Sequence, residues 1–155
     1  MRLTRRRNLP EGLTLEKGER VLAVSGETVA TNTALHFQDG KQAIRLPWER
    51  VEQAGWKDGV LVVREVGGGR HIVRLPEPGS VPEAVRERVT ATVVVSTHVK
   101  LPSGGGVRIT ARRPAKGATD PHWTLVFDTG LDPSDPDLLA QAEQAMEEIR
   151  RQTGL

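Results

Sequence analysis

Residues 13–75 consist of short apolar and β-branched runs separated by turn residues, and this pattern limits the topology more than any other feature. Seven strand candidates fit into about sixty residues, and turns of about two to four residues join them. Asp39-Gly40 and Asp58-Gly59 are dipeptides typical of two-residue hairpins. Parallel strands need crossover connections of about a dozen residues or more, for which there is no room. The segment is therefore predicted to be an antiparallel meander that curls into a small barrel or into two orthogonal sheets.

The strand candidates of this meander follow from alternation and from the turns that bound them. Ile44 and Arg45 are expected on opposite faces of one strand. Trp48 and Trp56 share one parity in what reads as a single run. The seven candidates are residues 19–24, 28–31, 34–37, 42–46, 48–56, 60–63 and 71–75.

A helix is predicted directly after the meander. Ser80 and Glu83 have the spacing of a capping box, and Pro82 lies in the first turn, where its missing backbone donor is harmless. Val81 and Val85 fall on one face of this helix, which is expected to end near residue 91.

The remaining residues are predicted to form three strands and a final helix. The strand candidates are residues 93–101, 107–112 and 122–127. Asp135 is the expected N-cap of the last helix, Pro136 its first residue and Gly154 its end.

These elements predict an α+β fold in three parts. Residues 1–12 are expected to be a mobile basic arm that includes Arg5-Arg6-Arg7. Residues 13–95 are expected to form a seven-stranded antiparallel bent sheet or barrel with a capping helix. Residues 96–155 are expected to be a strand–strand–helix extension, a short β-meander and a C-terminal helix, packed on the same unit.

The first half of the chain resembles PH-like domains of the bacterial PH or GRAM kind. The resemblance rests on Gly18-Glu19-Arg20-Val21-Leu22, the two Asp-Gly hairpins, Trp48-Glu49-Arg50-Val51 and the helix after the seventh strand. It implies a bent antiparallel sheet closed at one corner by that helix. Phosphoinositide-binding members place several Lys and Arg at the first hairpin, whereas here the turn is Ser25-Gly26-Glu27. The resemblance therefore implies an interaction module but not phosphoinositide binding.

The composition excludes several classes of protein. The chain has no cysteine, which excludes disulfide scaffolds, thiolate metal sites and cysteine nucleophiles. The 22 basic and 20 acidic residues give a net charge of only +2. No apolar stretch approaches the roughly 20 residues of a membrane-spanning helix, and no signal-like apolar segment follows the basic N-terminus. We therefore expect a cytoplasmic protein, either free or peripheral at the inner membrane face.

Motifs for catalysis or cofactor binding are missing from the sequence. The four histidines are scattered among strand candidates without metal-ligand spacing, and no Gly-x-Ser-x-Gly motif is present. These histidines are His36, His71, His98 and His122. The glycine triplets at residues 67–69 and 104–106 separate strands and indicate hairpin turns rather than phosphate loops. The sequence predicts no catalytic residue, metal or cofactor, and an enzyme would require a pocket that brings titratable groups together.

Basic residues on the strands of the second half form the one candidate binding site. Arg108 and Arg112 share parity on one strand, Arg113 follows them, and Lys100 lies with His98 on the outer face of the neighbouring strand. Across an antiparallel pair such side chains can cluster, and concentrated positive charge favours an anionic partner. Pairing with Glu or Asp, or a simply solvated face, is the alternative. Lys100, Arg108, Arg112 and Arg113 are thus the candidate ligand-binding residues.

Two functions are consistent with these patterns. The first is a non-enzymatic PH-like interaction module that binds a protein segment or an anionic membrane surface. The alternative is a nucleic-acid-associated protein that uses the basic arm and the Arg108/Arg112 face. Aromatic residues make up only 3% of the chain, which argues against base stacking on single strands. The ligand and the oligomeric state do not follow from the sequence.

Overall fold

The computed structural model describes residues 9–114 and 119–155. The basic arm predicted at residues 1–12 lies outside the described residues except for residues 9–12. Nearly every strand and helix of the described ranges begins and ends within two residues of its predicted bounds. The fold is α+β, and every strand pairing is antiparallel, as the short turns predict.

Ten strands and two α-helices make up the described part of the chain. The strands are β1 (Val21–Ser25), β2 (Thr28–Thr31), β3 (Ala34–Asp39), β4 (Gln42–Pro47), β5 (Val51–Lys57), β6 (Val60–Glu65), β7 (Arg70–Arg74), β8 (Val93–Lys100), β9 (Gly106–Arg112) and β10 (His122–Phe127). The helices are α1 (Val81–Ala91) and α2 (Pro136–Thr153), and a single 3-10 turn spans Trp48–Arg50.

The chain divides into two compact units, Met1–Thr92 and Val93–Leu155, which are called the first and the second unit below. In the first unit the seven strands do not form one seven-stranded sheet, so that prediction is wrong. They form a four-stranded sheet in the order β1-β2-β3-β4 and a three-stranded sheet in the order β5-β6-β7. The described strands of this unit form no closed barrel. The break between the sheets falls at the 3-10 turn.

Residue Trp48 explains why the meander breaks at this point. The 3-10 turn interrupts the expected run of residues 48–56, so Trp48 and Trp56 do not belong to one strand. Trp48 is buried, and its Nε1 donates a hydrogen bond to the carbonyl oxygen of Thr31 at 2.8 Å. Trp56 is 39% exposed at the far end of β5. The indole hydrogen bond thus anchors the crossing between the two sheets.

Helix α1 contacts strands from both sheets of the first unit. It packs against β1, β2 and β5, and its buried residues are Val81 and Val85. Both valines belong to one apolar core with Leu35 of β3 and Val63 of β6. Because this core takes side chains from both sheets and from the helix, α1 holds the two sheets together.

The second unit is a three-stranded sheet in the order β10-β9-β8 with α2 packed on one face. The core contains Val107 and Ile109 of β9 with Leu138 and Ala142 of α2. Side chains of β8 alternate strictly between half-buried and exposed, so the opposite face of the sheet is open. This alternation agrees with the outer face predicted for His98 and Lys100.

The two helix N-termini differ from each other. Asp135 caps α2 as predicted, because its side chain accepts a hydrogen bond from the backbone N–H of Asp137 at 2.9 Å. Gly154 ends that helix with φ of 73°. The predicted capping box at Ser80 is not formed, since this side chain makes no cap hydrogen bond. Pro82 already removes one of the backbone donors that a cap would satisfy.

This difference predicts unequal costs of substitution. Asp135→Ala should lower the free energy of unfolding by about 1 kcal/mol, because it removes the cap hydrogen bond. Ser80→Ala should change it by less than about 0.5 kcal/mol. Urea unfolding of the two variants measures both values, and equal losses would contradict the assignment of the caps.

Candidate functional site

The structure separates the four predicted basic residues. Lys100 on β8 and Arg108 on β9 are exposed on the open face of the second unit's sheet. Arg108 lies directly opposite His98 in the register, and its Nη1 donates a hydrogen bond to Ser96 Oγ at 3.1 Å. Among the described residues, neither Lys100 nor Arg108 has a carboxylate within ion-pair distance.

Arg112 and Arg113 do not extend this pair of cations. Arg112 is only 8% exposed, and both arginines take part in interactions within the protein. Arg113 is exposed but lies just beyond the end of β9. Among the described residues, the exposed basic face therefore consists of Lys100 and Arg108.

A buried carboxylate in the first unit organises a second cluster. The side chain of Glu19 is completely buried and accepts four hydrogen bonds. The donors are the backbone N–H of Glu16 at 2.9 Å, the Thr31 hydroxyl, His36 Nε2 at 2.7 Å and Arg45 Nε at 3.3 Å. They come from the loop before β1 and from β2, β3 and β4, so one carboxylate connects four segments.

The surroundings of Glu19 change its acidity in two opposing ways. Burial raises the pKa of Glu19, because a desolvated carboxylate is harder to ionise. Hydrogen bonds from the Thr31 hydroxyl, the Glu16 backbone N–H and His36 lower it, and so does the charge of His36. The lowering contributions prevail and hold the pKa of Glu19 at about 2, against an ordinary value of 4.5. Glu19 is therefore ionised at neutral pH.

A cavity of about 360 Å³ lies beside this cluster. The loop of residues 10–16 forms one side, and β3 and β4 form the other with His36 and Arg45. Pockets that bind small molecules have volumes of about 300 to 1,000 Å³, so this cavity has the size for a small ligand or one side chain.

The cluster and the cavity meet one requirement of an enzyme, because Glu19 and His36 are titratable groups in contact at a pocket. An ionised carboxylate that accepts the Nε2–H of a histidine fixes the ring's tautomer and orientation. The hydroxyl nearest to the pair, Thr31, is fully buried and already donates to or accepts from Glu19, Thr33 and Ala34. The geometry thus provides an oriented imidazole but assigns no nucleophile to it.

Sequence reasoning missed the Glu19 cluster, although one signal for it exists. His36 interrupts the apolar run Ala34–Phe37, and a polar side chain in such a run needs a partner when it is buried. Nothing in the sequence identifies Glu19, seventeen residues earlier, as that partner.

Two of the other histidines also lie near carboxylates. His71 Nε2 is 3.4 Å from Glu65 Oε1, and His98 Nε2 is 2.8 Å from Asp128 Oδ1. The His98 ring occupies the space of a side chain at Gly106, where a Cβ would come within 2.3 Å of the ring. No group of three metal-ligating side chains comes together within residues 9–114 and 119–155.

A third feature is a groove of about 510 Å³ between β5 and α1. Ala54, Gly55 and Trp56 line it from the strand. The helix contributes Pro82, Glu83, Val85 and Arg86. Among the described strands β5 pairs only with β6, so its other side is a sheet edge.

Comparisons with known proteins give no relative. No protein-family model, curated protein or solved structure matches the chain. Within the described residues, neither helix combines the length and the apolar character that crossing a bilayer requires.

The depressed pKa of Glu19 predicts how stability depends on pH. Ionised Glu19 stabilises the fold above its unfolded pKa near 4.5, and this contribution is lost as the pH falls from there toward about 2. A shift of this size corresponds to about 3 kcal/mol. Urea unfolding followed by tryptophan fluorescence should show this loss. The Glu19→Gln variant should have a lower free energy of unfolding at neutral pH, and that free energy should depend less on pH between 4.5 and 2. An unchanged pH dependence in the variant contradicts the role of this carboxylate.

Proposed function

We propose that the chain is a non-enzymatic, PH-like interaction module that binds an extended protein segment along the edge of β5. The single observation that carries this proposal is the unpaired side of β5, which runs beside a groove formed with α1. Sheet edges offer backbone donors and acceptors to an added strand, and neighbouring grooves select its side chains.

The hairpin between β5 and β6 determines which backbone groups face this groove. Asp58 and Gly59 both have positive φ, 53° and 76°, as in a two-residue type I′ turn. The residues that flank such a turn, Lys57 and Val60, exchange backbone hydrogen bonds, and the pattern alternates along the ladder. The N–H and C=O groups of Ala54 therefore point away from β6. The backbone N–H and C=O groups of Trp56 also point away from β6, and both residues' groups are available to a bound strand.

The side chains of the groove suit a peptide that buries apolar residues. Trp56 is 39% exposed, whereas Leu61 and Val85 are almost fully buried beneath the groove. Glu83 and Arg86 supply polar groups on α1. A half-exposed tryptophan beside an apolar floor and a polar border is the arrangement of a binding hot spot.

The order of elements supports the PH-like part of the proposal. Seven antiparallel strands in two sheets precede α1, and this helix packs against strands of both sheets. That order agrees with the resemblance described for residues 13–95.

Proline substitution at the two edges of the β5-β6-β7 sheet tests strand addition. Peptides that bind the full chain can be selected from a displayed library of random 12-residue sequences. Ala54→Pro removes an outward N–H from the β5 edge. It should weaken the binding of the selected peptides at least tenfold, which is a loss of about 1.4 kcal/mol of binding free energy. Ile72→Pro is the matched control, because Ile72 is 57% exposed and its N–H points outward from the β7 edge. Calorimetric titration measures both affinities.

Trp56→Ala provides a separate test of the groove. It should weaken the same peptides by at least about tenfold, because tryptophan is among the commonest hot-spot residues. Peptides that lose affinity with Ile72→Pro but not with Ala54→Pro or Trp56→Ala would show that the wrong edge was chosen. A failure to select any saturable binder would refute the proposed function itself.

A second candidate function, binding to nucleic acid, is favoured by one observation. Lys100 and Arg108 share an exposed sheet face and have no carboxylate within ion-pair distance among the described residues. Phosphates are the natural partners of such cations, and their neutralisation releases counterions.

Salt dependence tests this second candidate. Fluorescence anisotropy with duplex DNA should show weaker binding for Lys100→Ala/Arg108→Ala. The slope of the logarithm of the binding constant against the logarithm of the salt concentration should become shallower, as the loss of about two phosphate contacts requires. Lys41→Ala/Arg74→Ala removes the same charge from exposed positions in the first unit and should leave the slope unchanged. If both double variants weaken DNA binding equally, the binding reflects only the general charge of the protein, and a site on this face is ruled out.

A further inference from the structure

At the wall of the cavity beside Glu19, one ring nitrogen of His36 has no hydrogen-bond partner among the described residues. His36 lines the cavity, and its side chain is only 9% exposed. Its Nε2 is taken by Glu19, and no described residue hydrogen-bonds to Nδ1. Glu19 accepts the Nε2–H, and in the uncharged form of the ring Nδ1 is then an acceptor. This nitrogen can accept a hydrogen bond from a ligand that enters the cavity.

The charges around the cavity favour a positively charged donor. Among the described lining residues Arg45 is the one arginine or lysine, and carboxylate oxygens of Glu16 and Glu19 already lie 3.3 Å from its guanidinium nitrogens. Glu11 and Glu27 also line the cavity, and neither has a basic group within ion-pair distance among the described residues. Carboxylates therefore outnumber basic groups among the described lining residues, and this part of the cavity wall carries excess negative charge.

Apolar atoms complete the lining. Pro10 and Leu13 are half-buried in the loop, and Ile44 is half-buried on β4. A ligand for this cavity therefore combines a charged donor with a short apolar stem, and the volume of about 360 Å³ limits its size.

We infer that the cavity between residues 10–16 and strands β3 and β4 binds an organic cation, a primary ammonium group on a short aliphatic chain. The ammonium donates to His36 Nδ1 and lies near Glu11 and Glu27. The aliphatic chain packs against Pro10, Leu13 and Ile44. This site is separate from the β5 groove, since no residue lines both.

Three probes with the same stem and different head groups test the site. They are n-butylammonium, n-butanol and n-butyrate, titrated into the isotope-labelled full chain at neutral pH and followed by amide chemical shifts. Butylammonium should give saturable shifts of cavity residues such as Thr14 and Gln38 at millimolar concentrations, as expected for a ligand of so few atoms. Butanol should bind more weakly, and butyrate should not bind.

Two exposed carboxylates allow the charge contribution to be tested without disturbing the core. Glu11→Gln and Glu27→Gln should each weaken the binding of butylammonium by about two- to fivefold, which is the usual contribution of an exposed charge pair. Glu87→Gln removes an equal charge from α1, outside the cavity, and should leave the affinity unchanged. The amide spectra of the variants report directly that each one is folded.

The imidazole of His36 gives a signal that general charge attraction does not produce. Two-bond proton–nitrogen spectra should show the Nε2–H tautomer in the free protein, and butylammonium should shift Nδ1 more than Nε2. An Nδ1–H tautomer, equal binding of butyrate, or shifts confined to residues outside the cavity would overturn the inference. None of these results bears on peptide binding at β5, which the edge variants test.

Discussion

The first unit depends on one desolvated carboxylate. Glu19 joins the loop before β1 to β2, β3 and β4 through Glu16, Thr31, His36 and Arg45. Each donor offsets part of the cost of burying the charge, and removal of one donor would leave the others with an under-compensated anion. The same hydrogen bonds orient the imidazole at the cavity wall. Stability of the four-stranded sheet and the chemistry of the cavity therefore have a common origin.

Helix α1 has a comparable double role. Its buried valines close the core shared by the two sheets, and its outer residues form one side of the groove at β5. The strand edge is left unpaired because the helix, rather than another strand, covers the neighbouring core. An unpaired edge normally exposes a protein to aggregation, and the nearby helix limits the approach of flat sheets. The proposed peptide binding requires that a single flexible strand still has access to this edge.

Local signals predicted the elements well and the polar cluster poorly. The Asp-Gly hairpins, the Asp135 cap and strand alternation depend on neighbours in sequence, and these agree with the structure. The split of the meander depends on a hydrogen bond from Trp48 to Thr31, seventeen residues away, which alternation does not reveal. The burial of Arg112 likewise depends on tertiary packing, because its parity matches that of exposed Arg108. The contacts that could not be predicted from the sequence are therefore contacts between residues that lie far apart in the chain.

Each of the three sheets is built from strands that are consecutive in the chain, and the two units are separated by one boundary after Thr92. Loop closure between consecutive strands costs little entropy, so such a topology favours rapid folding. During synthesis, each sheet has all of its strands once the last of them has left the ribosome, and none must wait for a distant partner. We therefore expect the order of assembly to follow the order of translation, with the first unit formed before α2 is made.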